Sequence, residues 1–347
     1  MRIRSFCKFV FLYCLIAFII NILLKSASIL VFSDTKHTIL DVYQNPMAFK
    51  EKTPPSRKII DIDCRRLIEY DKVEMDKAKT FMTLNLPKRL TDEEFINKTK
   101  DCVQFRQEMH YDIFPITDEE RDFPIAFSIL TFKDVNQTER LLRAIYRPHN
   151  FYCIHVDRSS SQAIHNAMRG ICNCLENVFI VSKTEDVIYN HVSRLQADLN
   201  CMTDLLKISK RWRYFINLPH QQFPLKTNLE MVKILKIYNG ANDIEGITSP
   251  RRMLKDRFKY IYKYLNYTKA IKLVGVRKTN PPHNVSIVKG SAYGVFSREF
   301  VHFVIKDNKS RDILNYMMDM KSPDEYFWAT LNHNKVLRAP GQYTGNA

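Results

Sequence analysis

From Pro124 onward, short apolar runs alternate with segments of helical spacing, and this pattern narrows the fold sharply. Residues 124–131, Pro-Ile-Ala-Phe-Ser-Ile-Leu-Thr, read as a strand, and 138–146 follow with Leu141, Leu142 and Ile145 on one helical face. A second strand covers 151–157 and ends on Asp157. A helix follows over 163–171, then a strand at 178–181, a long helix over 195–208 and a strand at 214–218. Strands that alternate with helices require crossover connections. The fold class is therefore α/β, with a mainly parallel sheet carrying helices on both faces. No internal repeat interrupts the series.

In open sheets of this kind, ligands bind beyond the carboxyl ends of the strands. Asp157 stands at such an end, where a carboxylate can accept hydrogen bonds from a base or ribose; the plainer alternative is a loop or cap aspartate. No P-loop occurs and no Gly-x-Gly-x-x-Gly follows the first strand, so nucleotide hydrolases and dinucleotide oxidoreductases lack their signatures.

The N-terminus bears on compartment. Arg2, Arg4 and Lys8 precede an uncharged run from Phe9 to Leu24, closed by Lys25. As a helix this run spans about 24 Å, which Lys8, Lys25 and the apolar 29–32 stretch extend toward a bilayer's thickness. A cleaved signal peptide competes, with Ser26-Ala27-Ser28 near the cut; the length of the run favours an uncleaved signal anchor over 9–32. Basic residues before the span put the tail 1–8 in the cytosol and the remainder in the lumen. Residues 33–66, broken by Thr53-Pro54-Pro55-Ser56, read as a stem, and 67–347 as the catalytic body, whose first part to residue 122 suggests short helices.

Cysteine usage agrees with an exported body. Beyond the apolar run lie Cys64, Cys102, Cys153, Cys172, Cys174 and Cys201, an even set that favours disulfides. Zinc is disfavoured because Cys172-Asn173-Cys174 has the wrong ligand spacing and no histidine pair completes it. Acceptor sequons stand at Asn97, Asn136, Asn266, Asn284 and Asn308. The net charge of +16 suits nucleic acid, an anionic surface or a polyanionic substrate such as a nucleotide diphosphate. A lumenal body excludes nucleic acid as the partner.

Several segments together carry a family resemblance: Ile125-Ala-Phe-Ser-Ile129, Arg140-Leu-Leu-Arg-Ala-Ile-Tyr146, Tyr152-Cys-Ile-His-Val-Asp157, Leu195-Gln-Ala-Asp-Leu-Asn-Cys201, Phe223-Pro-Leu-Lys-Thr-Asn228, Gly290-Ser-Ala-Tyr293, Ser297-Arg298-Glu299 and Ser322-Pro-Asp-Glu325 with Trp328-Ala-Thr330. In this order and spacing, from about Cys102 to Leu331, the chain resembles the core 2 and I-branching β-1,6-N-acetylglucosaminyltransferases. The resemblance implies a Golgi membrane protein, single-pass type II, with a GT-A-like nucleotide-sugar-binding body. It implies transfer of N-acetylglucosamine from UDP-GlcNAc to a hydroxyl of an O-linked glycan, with inversion and without a metal. Asp61-Ile-Asp63 precedes the nucleotide-binding strands and reads as a solvated acidic pair rather than a metal motif.

Inverting transfer needs a carboxylate to take the acceptor's proton and donors around the departing diphosphate. The resemblance puts the base at Glu325. The residues alone favour a different duty, because Ser322-x-x-Glu325 with Pro323 is a capping box. Glu245 and Arg257 match acceptor-side positions, and Asp157 and Tyr189 match positions near the nucleotide; Tyr189 reads equally as an aromatic packed beside the sheet. The disulfides implied are Cys102–Cys174 and Cys153–Cys201, with a Cys64–Cys172 bridge a further possibility. Against the family, the catalytic body reads as truncated at its C-terminus, as in a partial gene model, where the usual members carry an acceptor-contacting aromatic segment and diphosphate-neutralising Arg and Lys. Phe132 and Pro219-His220-Gln221-Gln222 also depart from the pattern. A catalytically inactive lumenal glycan-binding protein on the same scaffold, or a xylosyltransferase-like donor preference, are the alternatives.

Overall fold

A computed structural model of the chain describes residues 61–84, 89–112, 115–247, 249, 252–265 and 270–343. The expected anchor, Asn266 and most of the expected stem lie outside these residues. No described helix is long and apolar enough to cross a membrane. The chain divides into two compact units, Met1–Leu86 and Pro87–Ala347.

In the first unit, Asp63 accepts hydrogen bonds from the Arg65 and Arg66 amides and caps the helix Cys64–Ile68, and Lys72–Leu84 forms a second helix. The acidic pair Asp61/Asp63 thus contributes a helix cap, satisfying amides that a helix start leaves without partners.

The second unit is built on a five-stranded sheet in the order β3-β2-β1-β4-β7. Its strands are β1 (Ile125–Thr131), β2 (Phe151–Val156), β3 (Val178–Ile180), β4 (Tyr214–Pro219) and β7 (Val295–Ser297). β1 pairs in parallel with β2 and β4, β2 with β3, while β7 runs antiparallel to β4. The alternation of strands and helices is therefore as read, save that an antiparallel edge strand closes the sheet. A two-stranded antiparallel hairpin, β5 (Tyr260–Leu265) and β6 (Ala270–Arg277), stands apart from it.

Alternate side chains of the sheet enter two separate cores. Ala126, Cys153, Phe215 and Phe296 pack with the helices Ser193–Ile208, Arg298–Lys306, Asn308–Met317 and Phe327–His333. Ile125, Phe127, Ile129, Tyr152, Ile154 and Val156 pack with Val135–Ile145, Gln162–Asn173 and Asn228–Tyr238 on the other side. Burial on both faces explains why these strands read as continuous apolar runs. Burial of each large apolar side chain here is worth about 1.5–3 kcal/mol.

The chain builds β1, β2 and β3 outward in one direction and then returns to place β4 on the other side of β1. Between β1 and β4 lies the switch point at which ligands of open sheets bind. Two disulfides fix the surroundings. Cys153–Cys201 ties β2 to the helix Ser193–Ile208, and Cys102–Cys174 ties the helix Cys102–Glu108 to the end of Gln162–Asn173. Cys64 and Cys172 are both free.

Candidate active site

Between β1 and β4 the sheet carries a buried polar cluster. Ser128 and Asn217 are register partners, and both donate to Asp198, at 2.9 and 2.8 Å. Arg194 Nη1 donates to the same carboxylate at 2.7 Å. Arg194 and Asp198 lie one turn apart on Ser193–Ile208, a spacing that lets a helix present both groups to one side. The Arg194 guanidinium lies 5.2 Å from the Tyr293 ring centroid, yet its Nη2 is buried without a hydrogen-bond partner. An orphaned buried donor costs about 1–3 kcal/mol and is characteristically found where a ligand or ion completes it.

The segment 290–294 leads from this cluster to Glu325. Asn217 donates to the Ala292 carbonyl and accepts from the Gly294 amide, and the Gly290 amide donates to the Glu325 carbonyl at 2.7 Å. A Cβ on Gly290 would lie 2.1 Å from the Glu245 carbonyl and 2.9 Å from the Ala329 Cβ. Glycine at this position therefore lets the backbone at Glu245 pass directly beside the Glu325 turn. An isolated antiparallel bridge between Ile247 and Lys289 holds the two segments together.

Glu325 does not cap a helix. Ser322 has φ 53° and makes no side-chain cap; its hydroxyl donates to the Asn190 side-chain carbonyl at 2.7 Å instead. The residues 323–325 form a single 3-10 turn. The capping box expected from Ser322-x-x-Glu325 fails because the left-handed backbone at Ser322 turns the hydroxyl away from the turn's amides. The carboxylate so released pairs with Lys289 Nζ at 2.9 Å and Arg257 Nη1 at 3.1 Å, and its side chain keeps 30% of its exposure. Arg257 is held there by its neighbours: Tyr326 donates its hydroxyl to the Met253 carbonyl, and the Lys321 amide donates to the Arg257 carbonyl.

Asp157 sits just past β2, and its carboxylate accepts from the Ser159 amide and hydroxyl and, at 3.0 Å, from the Val187 amide. Those bonds position the loop after β3. Two residues before Asp157, His155 accepts from the Glu185 amide at 2.9 Å, and burial lowers its pKa. The same loop carries Tyr189 and then Asn190, which receives both the Ser322 amide and its hydroxyl. A continuous chain of hydrogen bonds thus runs from Asp157 through the Tyr189 loop to the turn bearing Glu325. Tyr189 itself is 86% exposed, so it is not the packed aromatic that one reading allowed; its ring is free to meet a ligand.

The structure therefore brings Asp157, Tyr189, Arg257 and Glu325 into one bonded framework and sets the Glu245 backbone beside it. The Glu245 side chain is exposed. Sequence reasoning missed three residues of this framework. Lys289 lies in an irregular stretch just before Gly290, and no motif announces it. Arg194 could be sought from its i, i+4 spacing to Asp198, a pattern common to ordinary helix surfaces. Asp324, beside Glu325, has its pKa pushed up to about 6, chiefly by burial, with Arg194 opposing and the Glu325 charge reinforcing the rise.

Among the sequons, Asn97, Asn284 and Asn308 are exposed, whereas the Asn136 side chain accepts from the Leu90 amide at 3.1 Å. Phe132 packs edge-on against His220, so the two departures in that region form one contact.

Comparison with known proteins agrees with this geometry. The family model for the Core-2/I-Branching enzyme matches residues 125–346. The beta-1,3-galactosyl-O-glycosyl-glycoprotein beta-1,6-N-acetylglucosaminyltransferase of Homo sapiens is 38% identical over 323 residues, covering 90% of this chain and 73% of its own length. A Danio rerio protein of the same name, numbered 4, is 37% identical over 305 residues, covering 87% of this chain and 70% of its own. A second Homo sapiens protein, numbered 3, is 43% identical over 247 residues, which is 71% of this chain and 56% of that relative. With a matching family model across most of the chain and relatives well above 30% identity, the chain belongs to the Core-2/I-branching enzyme family.

Proposed function

We propose that the chain is an inverting β-1,6-N-acetylglucosaminyltransferase that moves N-acetylglucosamine from UDP-GlcNAc to a hydroxyl of an O-linked glycan. Glu325 takes the proton from the acceptor hydroxyl as its oxygen attacks the anomeric carbon, and UDP departs from the opposite face. Arg257 and Lys289 fix the carboxylate's position, so that little reorganisation remains when the acceptor arrives. Asp157 and Tyr189, at the carboxyl end of β2 and on the loop it anchors, belong to the donor side of a GT-A-like arrangement. Glu245 and Arg257 belong to the acceptor side. The orphaned Nη2 of Arg194 is available to an oxygen of the donor. The reaction in this reading uses no divalent metal, the leaving diphosphate being met by donors of the protein.

The observation that carries this reading is the placement of Glu325: its carboxylate is freed from helix capping, held by two cations, and bonded through its turn to the loop that Asp157 anchors. An inactive glycan-binding scaffold would have no need for a carboxylate so released. Two disulfides in the described body suit an oxidising compartment, in keeping with a type II Golgi membrane protein anchored by the apolar run at 9–32.

The test is transfer by the full chain in detergent, supplied with UDP-GlcNAc and a Gal-β-1,3-GalNAc glycoside in excess EDTA, with the product's linkage read by NMR. A β-1,6-linked product formed at the same rate with and without chelator is expected. An α-linked product, or loss of transfer on chelation that added metal restores, would contradict the reading.

A further inference from the structure

The two cations that hold Glu325 both meet the same oxygen. Arg257 Nη1 donates to Oε2 at 3.1 Å, and Lys289 Nζ lies 2.9 Å from that atom. Among the described residues, no group donates a hydrogen bond to the other oxygen, Oε1. A carboxylate carries lone pairs on both oxygens. With Oε2 engaged twice, Oε1 is the one left to accept from an incoming group.

The two cations are held differently. The backbone at Lys289 is fixed on both sides: its carbonyl accepts from the Ile247 amide at 2.7 Å, and the next amide, of Gly290, donates to the Glu325 carbonyl at 2.7 Å. Its Nζ also donates to the Gly290 carbonyl at 3.4 Å, and only 14% of the side chain is exposed. Arg257 reaches Glu325 from the short helix Asp256–Lys259, and its side chain is 26% exposed. Lys289 is thus the more enclosed cation, anchored through the main chain to the residue it pairs with. Arg257 stands nearer solvent, and a guanidinium keeps donors to spare after meeting one carboxylate oxygen.

A carboxylate that acts as a base must present one oxygen to the attacking hydroxyl and keep it there. The last torsion of a glutamate side chain is broad and turns easily, so an unrestrained carboxyl group would sweep both oxygens past the reacting position. An ion pair from Oε2 to a cation fixed on the adjoining backbone stops that rotation. Arg257 could not supply the restraint by itself and also turn to the acceptor, the duty assigned to it above.

We propose that Lys289 is the positioning residue of the base: it holds Oε2 of Glu325 throughout the reaction, which makes Oε1 the proton-accepting atom and releases Arg257 to the acceptor. This rests on the transferase reading above and adds to it a division of labour between the two cations. In the step itself the acceptor's O–H bond breaks and its proton goes to Oε1. The oxygen bonds to the anomeric carbon, and the electron pair of the broken bond from that carbon leaves with UDP. Lys289 touches neither substrate; it acts through Glu325. Its loss therefore affects the rate of the step, whereas loss of Arg257 affects how well the acceptor is held.

The experiment measures kcat and acceptor KM for the full chain in detergent and for Lys289→Met, Lys289→Ala and Arg257→Met, with UDP-GlcNAc and a Gal-β-1,3-GalNAc glycoside. In Lys289→Met, kcat should fall about thirtyfold with acceptor KM within about twofold, a loss of positioning inside the range that a general base supplies. In Arg257→Met, acceptor KM should rise about tenfold, the scale of a lost charge-assisted hydrogen bond, with the smaller effect on kcat. Methylammonium should raise kcat of Lys289→Ala about fivefold or more, whereas tetramethylammonium, which carries the charge without an N–H, should not. Calorimetric affinity for UDP-GlcNAc should match the parent's in every variant, which shows that they fold. Failure of the parent chain to transfer would remove the transferase reading itself. Parental kcat in Lys289→Met would leave that reading intact and overturn only this assignment. So would an equal KM rise in Lys289→Met and Arg257→Met, loss of donor affinity in both lysine variants, or no advantage of methylammonium over tetramethylammonium.

Discussion

At the scale of single residues, the site depends on where three carboxyl groups obtain their partners. Asp198 is saturated by Ser128, Asn217 and Arg194, and Glu325 is held by two cations. Asp324 differs, since burial pushes its pKa from 3.8 up to about 6. The folded state thus holds a proton on Asp324, between about pH 4 and 6, that the unfolded chain has released. Stability from this group is gained as pH falls through that window and forfeited above it. Asp324→Asn should therefore stabilise the protein at pH 7 relative to pH 5, flattening the descending part of its stability curve. Chemical denaturation at the two pH values measures this, and an unchanged difference between them would contradict the assigned burial. Glu325 was legible only through its family setting, because the local pattern Ser-x-x-Glu spoke for a helix cap. What overruled that pattern was the left-handed backbone at Ser322, fixed by Asn190 from a loop more than a hundred residues away. Lys289 and Arg194 were illegible for the same reason: their meaning lies in partners that only the folded chain supplies.

At the scale of elements, the sheet was readable because its strands are buried on both faces and separated by amphipathic helices. The strand β7 was not read because Val295–Ser297 runs straight into the helix Arg298–Lys306, whose N-cap is Ser297 itself, so no turn marks its end. The hairpin was missed although Tyr-Ile-Tyr-Lys-Tyr-Leu at 260–265 has the composition of a strand. Its register with β6 is set by cross-strand pairing, which a single run does not reveal. The connection between the helix Val135–Ile145 and β2 holds a different kind of liability. Both ring nitrogens of His149 are buried without partners, and burial lowers its pKa to about 4. An unfolded histidine titrates near 6.5, so the unfolded state takes up the proton first. The stability that His149 leaves intact above pH 6.5 is lost as pH falls toward 4. His149→Phe keeps the ring's shape and discards the unpartnered nitrogens, and should therefore reduce the drop in Tm between pH 7 and pH 5. An equal drop in the variant and the parent protein would show that His149 does not titrate in this way.

At the scale of the whole molecule, the exported character read from the cysteines and the α/β class read from the alternation converge on one scaffold. The two bridges implied by family resemblance both form; one ties β2 itself to a flanking helix and the other joins two helices beside the sheet. Of the net charge of +16, which by itself suited several partners, half falls in the segment from Arg252 to Lys278, with nine basic residues against one acidic. The mechanism proposed for this scaffold puts the chemistry on a single group, Glu325. The most direct test is single-turnover transfer from pre-bound UDP-GlcNAc by the full chain and by Glu325→Gln, with donor affinity measured in parallel. Glutamine preserves the side chain's shape and removes its capacity to accept a proton, so donor affinity should stay within about threefold while the transfer rate falls at least a hundredfold, the scale of general-base catalysis. Transfer by the variant at the parental rate, with the donor bound equally well, would show that the proton leaves by another route.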